Sequence, residues 1–123
     1  MFCTAINCMD GRTQLTVINY LQKRFSTVNV DMITEPGPNK ILAEGIDAAA
    51  VSSIQRRIDI SITKHNTCGM AIVGHEDCGG NPVEKSIQFT QLQAARKFLQ
   101  DTYPELESIA LWVDLKGNVE ELA

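Results

Sequence analysis

Four short apolar runs, separated by longer stretches with helical periodicity, constrain this chain more than anything else in it. Residues 3–6, 28–33, 70–73 and 108–113 are too short for buried helices and read as strands. After the first run, Leu15, Ile18, Leu21 and Phe25 recur at helical spacing. Ile46, Ala50, Ile54, Ile58 and Ile62 form an i, i+4 ladder that predicts mostly one helix over roughly 41–65. Leu92, Ala95 and Leu99 mark a third helical stretch that stops before Pro104. Strand alternating with helix is the pattern of a parallel sheet with helices packed on it. Lys116 and Gly117 suggest a turn, and 119–122 an antiparallel edge strand. The expected fold is therefore a three-layer α/β domain. Its central sheet is mainly parallel, with four parallel strands and an antiparallel edge, flanked by helices.

At 123 residues the chain is expected to form one domain over 1–123. Its net charge of -4, with only the isolated basic pairs Lys23-Arg24 and Arg56-Arg57, argues against nucleic acid as a partner. No apolar run approaches the roughly 20 residues that span a membrane, and the N-terminus lacks the pattern of a signal peptide. A cytoplasmic location is expected, where thiols stay reduced. There the four cysteines (Cys3, Cys8, Cys68, Cys78) point to metal binding or catalysis rather than disulfides.

In an open parallel sheet, ligands bind beyond the carboxyl ends of the strands, where strand order reverses. Two loops of that kind stand out. Cys8-Met9-Asp10-Gly11-Arg12 follows the first strand, and Gly74-His75-Glu76-Asp77-Cys78-Gly79-Gly80 follows the third. If the first strand lies between the second and third, Cys8, Asp10, Arg12, His75 and Cys78 meet in one crevice. Two thiolates and an imidazole are the donors Zn²⁺ prefers, and three protein ligands leave a fourth position open, as catalytic zinc requires. His75 and Cys78 are close enough in sequence for one turn to aim both at the same ion. Each residue also has a plainer reading. Asp10 would serve as a helix N-cap, Arg12 as its ion-pair partner, and Cys8 and Cys78 as small buried residues. Cys3 and Trp112 read as packing, and Glu76 and Asp77 as solvated loop residues. His65-Asn66-Thr67-Cys68 repeats the H-x-x-C spacing, but its histidine reads as the end of a helix.

Together these motifs resemble the β-class carbonic anhydrases. Cys8-Met9-Asp10-Gly11-Arg12 matches their C-x-D-x-R motif and Gly74-His75-Glu76-Asp77-Cys78-Gly79 their G-H-x-x-C-G motif. The segment from Leu111 to Val119 is similar to the family's last hairpin. The resemblance implies Cys8, His75 and Cys78 as zinc ligands, with Asp10 and Arg12 as the paired groups holding the fourth position. Asp10 as a fourth ligand is the alternative. It implies hydration of carbon dioxide to bicarbonate, or, as in some relatives, hydrolysis of carbon disulfide or carbonyl sulfide. It also implies a homodimer or higher homo-oligomer. The sequence departs from the family in having few residues before the first strand, where a helical arm is usual. It also carries Glu35-Pro36-Gly37-Pro38-Asn39 in place of a short Ala-Gly-Gly or Ala-Gly-Asn motif. A zinc-binding relative without catalysis is the second reading. Thiol chemistry at Cys8, with Arg12 lowering its pKa, is the third.

Overall fold

The computed structural model describes all residues from 1 to 123. It contains β1 (Phe2–Cys8), α1 (Gln14–Arg24), β2 (Asn29–Glu35), α2 (Pro38–Glu44) and α3 (Ala48–His65). These are followed by β3 (Gly69–His75), α4 (Lys85–Thr102), β4 (Glu107–Val113) and β5 (Val119–Glu121). The sheet order is β2-β1-β3-β4-β5, parallel throughout except for the antiparallel β4–β5 pair. The expected three-layer α/β architecture is the one observed. From β1 the chain steps outward to β2, then crosses back to β3 on the other side, so strand order reverses between β1 and β3. That reversal opens a crevice at their carboxyl ends.

Alternation along the strands divides the core between the two faces of the sheet. Cys3, Ala5, Ala71, Val73, Ile109 and Leu111 pack with Val17 and Leu21 of α1. Ile6, Met70, Ile72, Ala110 and Trp112 point the other way and meet the buried faces of α2, α3 and α4. One helix covers one face and three cover the other. β3 is buried along its whole length, as the central strand of a doubly covered sheet should be. No helix is long and apolar enough to cross a membrane.

Three local expectations differ from the structure. The helix expected over 41–65 is two helices, α2 and α3. Gly45 ends α2 in the left-handed region (φ 66°), and Asp47 starts α3 by accepting a hydrogen bond from the Ala50 N–H at 3.0 Å. Ile46, the first rung of the ladder, lies in the link between them and is 82% exposed. Asp10 is not the N-cap of α1. That position belongs to Thr13, and the Asp10 carboxylate bonds Arg12 instead. Finally, Leu15 is exposed, and Val17 and Leu21 carry the buried face of α1. The two apolar positions at the start of α1 compete for the core, and the helix rotation set by the β1–α1 turn decides for Val17.

Candidate metal centre

β1 and β3 end on Cys8 and His75, so strand geometry itself delivers two candidate ligands to the crevice. The register pairs Ile6 with Ile72, which brings Cys8 level with Gly74, one residue short of His75. Cys78 comes back to the same point through a turn in which Asp77 adopts φ 58°, a left-handed conformation that Asp tolerates better than most residues. The Cys8 and Cys78 sulfurs are 3.8 Å apart, and the ligand atoms of Cys8, His75 and Cys78 all lie within 4.8 Å of one another. All three residues are buried.

This donor set fits Zn²⁺ on two counts. Two sulfurs at about 2.3 Å from a tetrahedral zinc would stand about 3.8 Å apart, the separation found here. The His75 Nδ1–H donates to the carbonyl of Glu76 at 2.8 Å, which leaves Nε2 as the acceptor. Nε2 is buried without a hydrogen-bond partner, an arrangement that costs stability unless something occupies it.

The electrostatics favour an anionic sulfur at Cys8. The S–H of Cys78 holds the Cys8 pKa down to about 3 against the opposing effect of burial, helped by His75 and the backbone N–H groups of Gly37 and Asp10. Cys78 is raised by the same contact and by burial. Burial works to lower His75, but the adjacent Cys8 sulfur and its negative charge reverse the direction, and the net shift is upward.

Asp10 and Arg12 are brought to the lip of the same crevice and to each other. Arg12 donates to Asp10 from its backbone N–H at 2.8 Å, from Nε at 3.1 and 3.2 Å and from Nη2 at 2.7 Å. Its side chain and backbone hydrogen bonds hold the Asp10 carboxyl down to about 2. The Asp10 carboxylate is not among the clustered ligand atoms. Arg12 also reaches across to Asp77, through Nη1 to Oδ2 at 3.3 Å and Nη2 to the carbonyl at 3.1 Å, so it ties the β1 loop to the β3 loop. Glu76 is more than a solvated residue, since its Oε1 accepts from the Leu115 N–H at 2.9 Å and braces the β4–β5 turn.

The loop after β2 closes the third side. A Cβ on Gly80 would stand 2.6 Å from Pro36 Cβ, and one on Gly37 (φ 62°) 2.8 Å from Asn81 Cβ, so the β2 and β3 loops interlock. Pro36, Gly37 and Gly80, with Lys40, line a surface cleft of about 360 Å³ beside the centre. None of the four surface clefts is lined by Cys8, His75 or Cys78.

Several supporting residues escaped the sequence reading. Gln14 donates from Nε2 to the carbonyls of Cys8 and Asp10 at 2.8 and 2.9 Å and fixes the β1 turn. Gln88, Gln91 and Asn81 brace the β3 loop. The signal for Gln88 was a polar residue one turn before Leu92 in an apolar stripe.

A family model described as "Putative carbonic anhydrase" matches residues 1–123. The chain belongs to that family. Among solved structures, carbonic anhydrase folds are similar over nearly its full length. The β-carbonic anhydrase CafA of the fungal pathogen Aspergillus fumigatus is 16% identical, with a TM-score of 0.52. The alignment covers 98% of this chain and 74% of that one. The tetrameric β-carbonic anhydrases of the filamentous ascomycete Sordaria macrospora give 14% identity and a TM-score of 0.56, covering 98% of this chain and 80% of theirs. At these identities the likeness is one of fold. No curated protein matches the sequence.

Proposed function

We propose that Cys8, His75 and Cys78 hold one Zn²⁺ and that the centre hydrates carbon dioxide to bicarbonate. The observation that carries the metal assignment is the buried, unpartnered Nε2 of His75 beside two sulfurs at tetrahedral spacing. Family membership supports the reaction. Zinc in such a site supplies Lewis acidity, which turns water into a nucleophile near neutral pH. The chain's own residues do the rest. Asp10 is ionised, and its proposed role is to accept a hydrogen bond from the attacking water and orient it. Arg12 fixes that carboxylate through its fork of donors and keeps it from protonating. Because the Asp10 oxygens are turned to Arg12, the geometry supports an open fourth position rather than carboxylate ligation.

A second reading, zinc as a structural staple without catalysis, is favoured by one observation. The three ligands are 2–4% exposed and no cleft reaches them. Hydrolysis of carbon disulfide or carbonyl sulfide is the alternative chemistry for the same centre. Stopped-flow hydration of carbon dioxide, on protein of known zinc content, separates these readings. One zinc per chain with fast hydration establishes the enzyme, and one zinc without it leaves the staple or a sulfur substrate. Zinc absent, with rapid alkylation of Cys8, would favour thiol chemistry instead.

A homo-oligomer is the proposed assembly. The Sordaria proteins are tetrameric, and β2 and β5 leave both sheet edges of this chain open. Light scattering across a dilution series tests it. One domain over 1–123 is the proposed folding unit, checked by a single cooperative unfolding transition.

A further inference from the structure

The loop from His75 to Asn81 is gripped at both ends by one helix. Gln88 of α4 is 2% exposed and donates from Nε2 to the carbonyl oxygen of His75 at 2.8 Å. Gln91, three residues on and therefore on the same face of the helix, forms a two-way amide pair with Asn81. Asn81 Nδ2 donates to Gln91 Oε1 at 2.7 Å, and Gln91 Nε2 donates back to Asn81 Oδ1 at 3.4 Å. Asn81 is fully buried, and its backbone N–H donates to the carbonyl of Cys78 at 3.2 Å.

Gln88 occupies a place in the core stripe of α4 that continues through Leu92, Ala95 and Leu99. Its Oε1 is buried with no partner, so a leucine there would gain apolar burial and remove an unsatisfied acceptor. On packing alone, glutamine is the worse residue. What it adds is the bond to His75.

We infer that Gln88 and Gln91 are positioning residues for the His75–Cys78 half of the metal centre. This rests on the reading of Cys8, His75 and Cys78 as ligands. The H-x-x-C turn carries a left-handed residue at Asp77, and Gly79 and Gly80 follow it, so its free backbone samples many conformations. Metal binding must also bring two negative sulfurs to 3.8 Å. Ordering the loop from both ends removes most of its entropy cost from the binding step. Partners behind metal ligands are typically worth about 10- to 100-fold in affinity.

The test is zinc affinity by competition with a chromophoric chelator, together with the visible spectrum of the Co²⁺-substituted protein. Gln91→Leu should weaken zinc by about 10-fold or more and alter the cobalt bands. Gln91→Glu keeps the acceptor for Asn81 Nδ2 and should restore most of the affinity. Asn81→Ala combined with Gln91→Leu should cost little more than either alone, as expected for one shared interaction. Wild-type affinity and spectrum in Gln91→Leu would overturn the inference while leaving the ligand reading intact, as would a Gln91→Glu protein as weak as Gln91→Leu. A wild-type chain that binds no zinc or cobalt would overturn both. Gln91 is half-buried, so its variants are expected to fold. Gln88→Leu is read in the same way, and the Gln91 series decides if that variant does not fold.

Discussion

The chain contains the spacing H-x-x-C twice, at opposite ends of the sheet, and the two copies have different fates. His75 ends a strand, points into the crevice and meets Cys8 and Cys78. His65 ends a helix, stacks on Phe2 with ring centroids 4.2 Å apart, and bonds Asp31 Oδ2 through Nδ1 at 2.6 Å, while Cys68 is exposed. Around His65 the polar groups form a closed chain. Thr4 Oγ1 meets Ser61 Oγ at 2.6 Å and Thr67 Oγ1 at 2.8 Å, and Ser61 donates to Asp31 at 2.7 Å. Around His75 the accounting does not close, because Nε2 is left over. Spacing alone does not make a metal site. The proposed metal site rests instead on a buried nitrogen that the protein leaves unsatisfied next to two sulfurs.

The sharpest way to break this contrast is to exchange its members. His75→Ala should reduce zinc affinity by more than about 100-fold, beyond the loss of a mere supporting partner. His65→Ala should leave metal content unchanged, as measured by atomic emission on dialysed protein. Next in size is catalysis. Asp10→Ala should keep zinc but slow hydration by about 100-fold or more if the carboxylate handles the attacking water. Retained activity would reassign Asp10 to the β1 turn alone. Removing zinc with a chelator should lower the melting temperature, since a ligand present at about 1,000 times its Kd contributes about 4 kcal/mol. By contrast, Ser61→Ala at the other end should cost about 1–3 kcal/mol with or without metal, because it strands buried partners.

The smallest effect concerns acid. The Asp10 pKa is held at about 2 by Arg12, below its unfolded value of 3.8. The stabilisation is therefore fully present above about pH 4 and lost as pH falls toward 2. Asp10→Asn should flatten that part of the melting-temperature profile slightly. The effect is small because Arg12 is half exposed and the pair is screened by solvent.

Much of this molecule was legible in its sequence because strands and chemistry coincide. Residues 3–6 and 70–73 are runs whose direction and burial leave little freedom. Once β1 lies between β2 and β3, Cys8 and His75 have to meet. The break at Gly45 was hidden because Leu42 lies one i, i+4 step before Ile46, so the apolar spacing carries across it, and a glycine within a helical pattern is often tolerated. The roles of Gln14, Gln88 and Gln91 were hidden for another reason. An amide side chain carries no charge and no metal affinity, and its contribution depends on which carbonyl lies within 3 Å. Only tertiary structure supplies that. The same holds for Asp77, whose bond to Arg12 joins two loops far apart in sequence.

The interlock between Pro36 and Gly80 carries a consequence for the history of the fold. A Cβ at position 80 collides with the proline, and one at Gly37 with Asn81, so neither loop can drift alone. Replacements at 36–37 and 80–81 should appear as compensated pairs among relatives. Relatives that carry an Ala-Gly type of segment after β2 should show a correspondingly different residue after the H-x-x-C turn. Two stretches more than 40 positions apart would then evolve as a single unit.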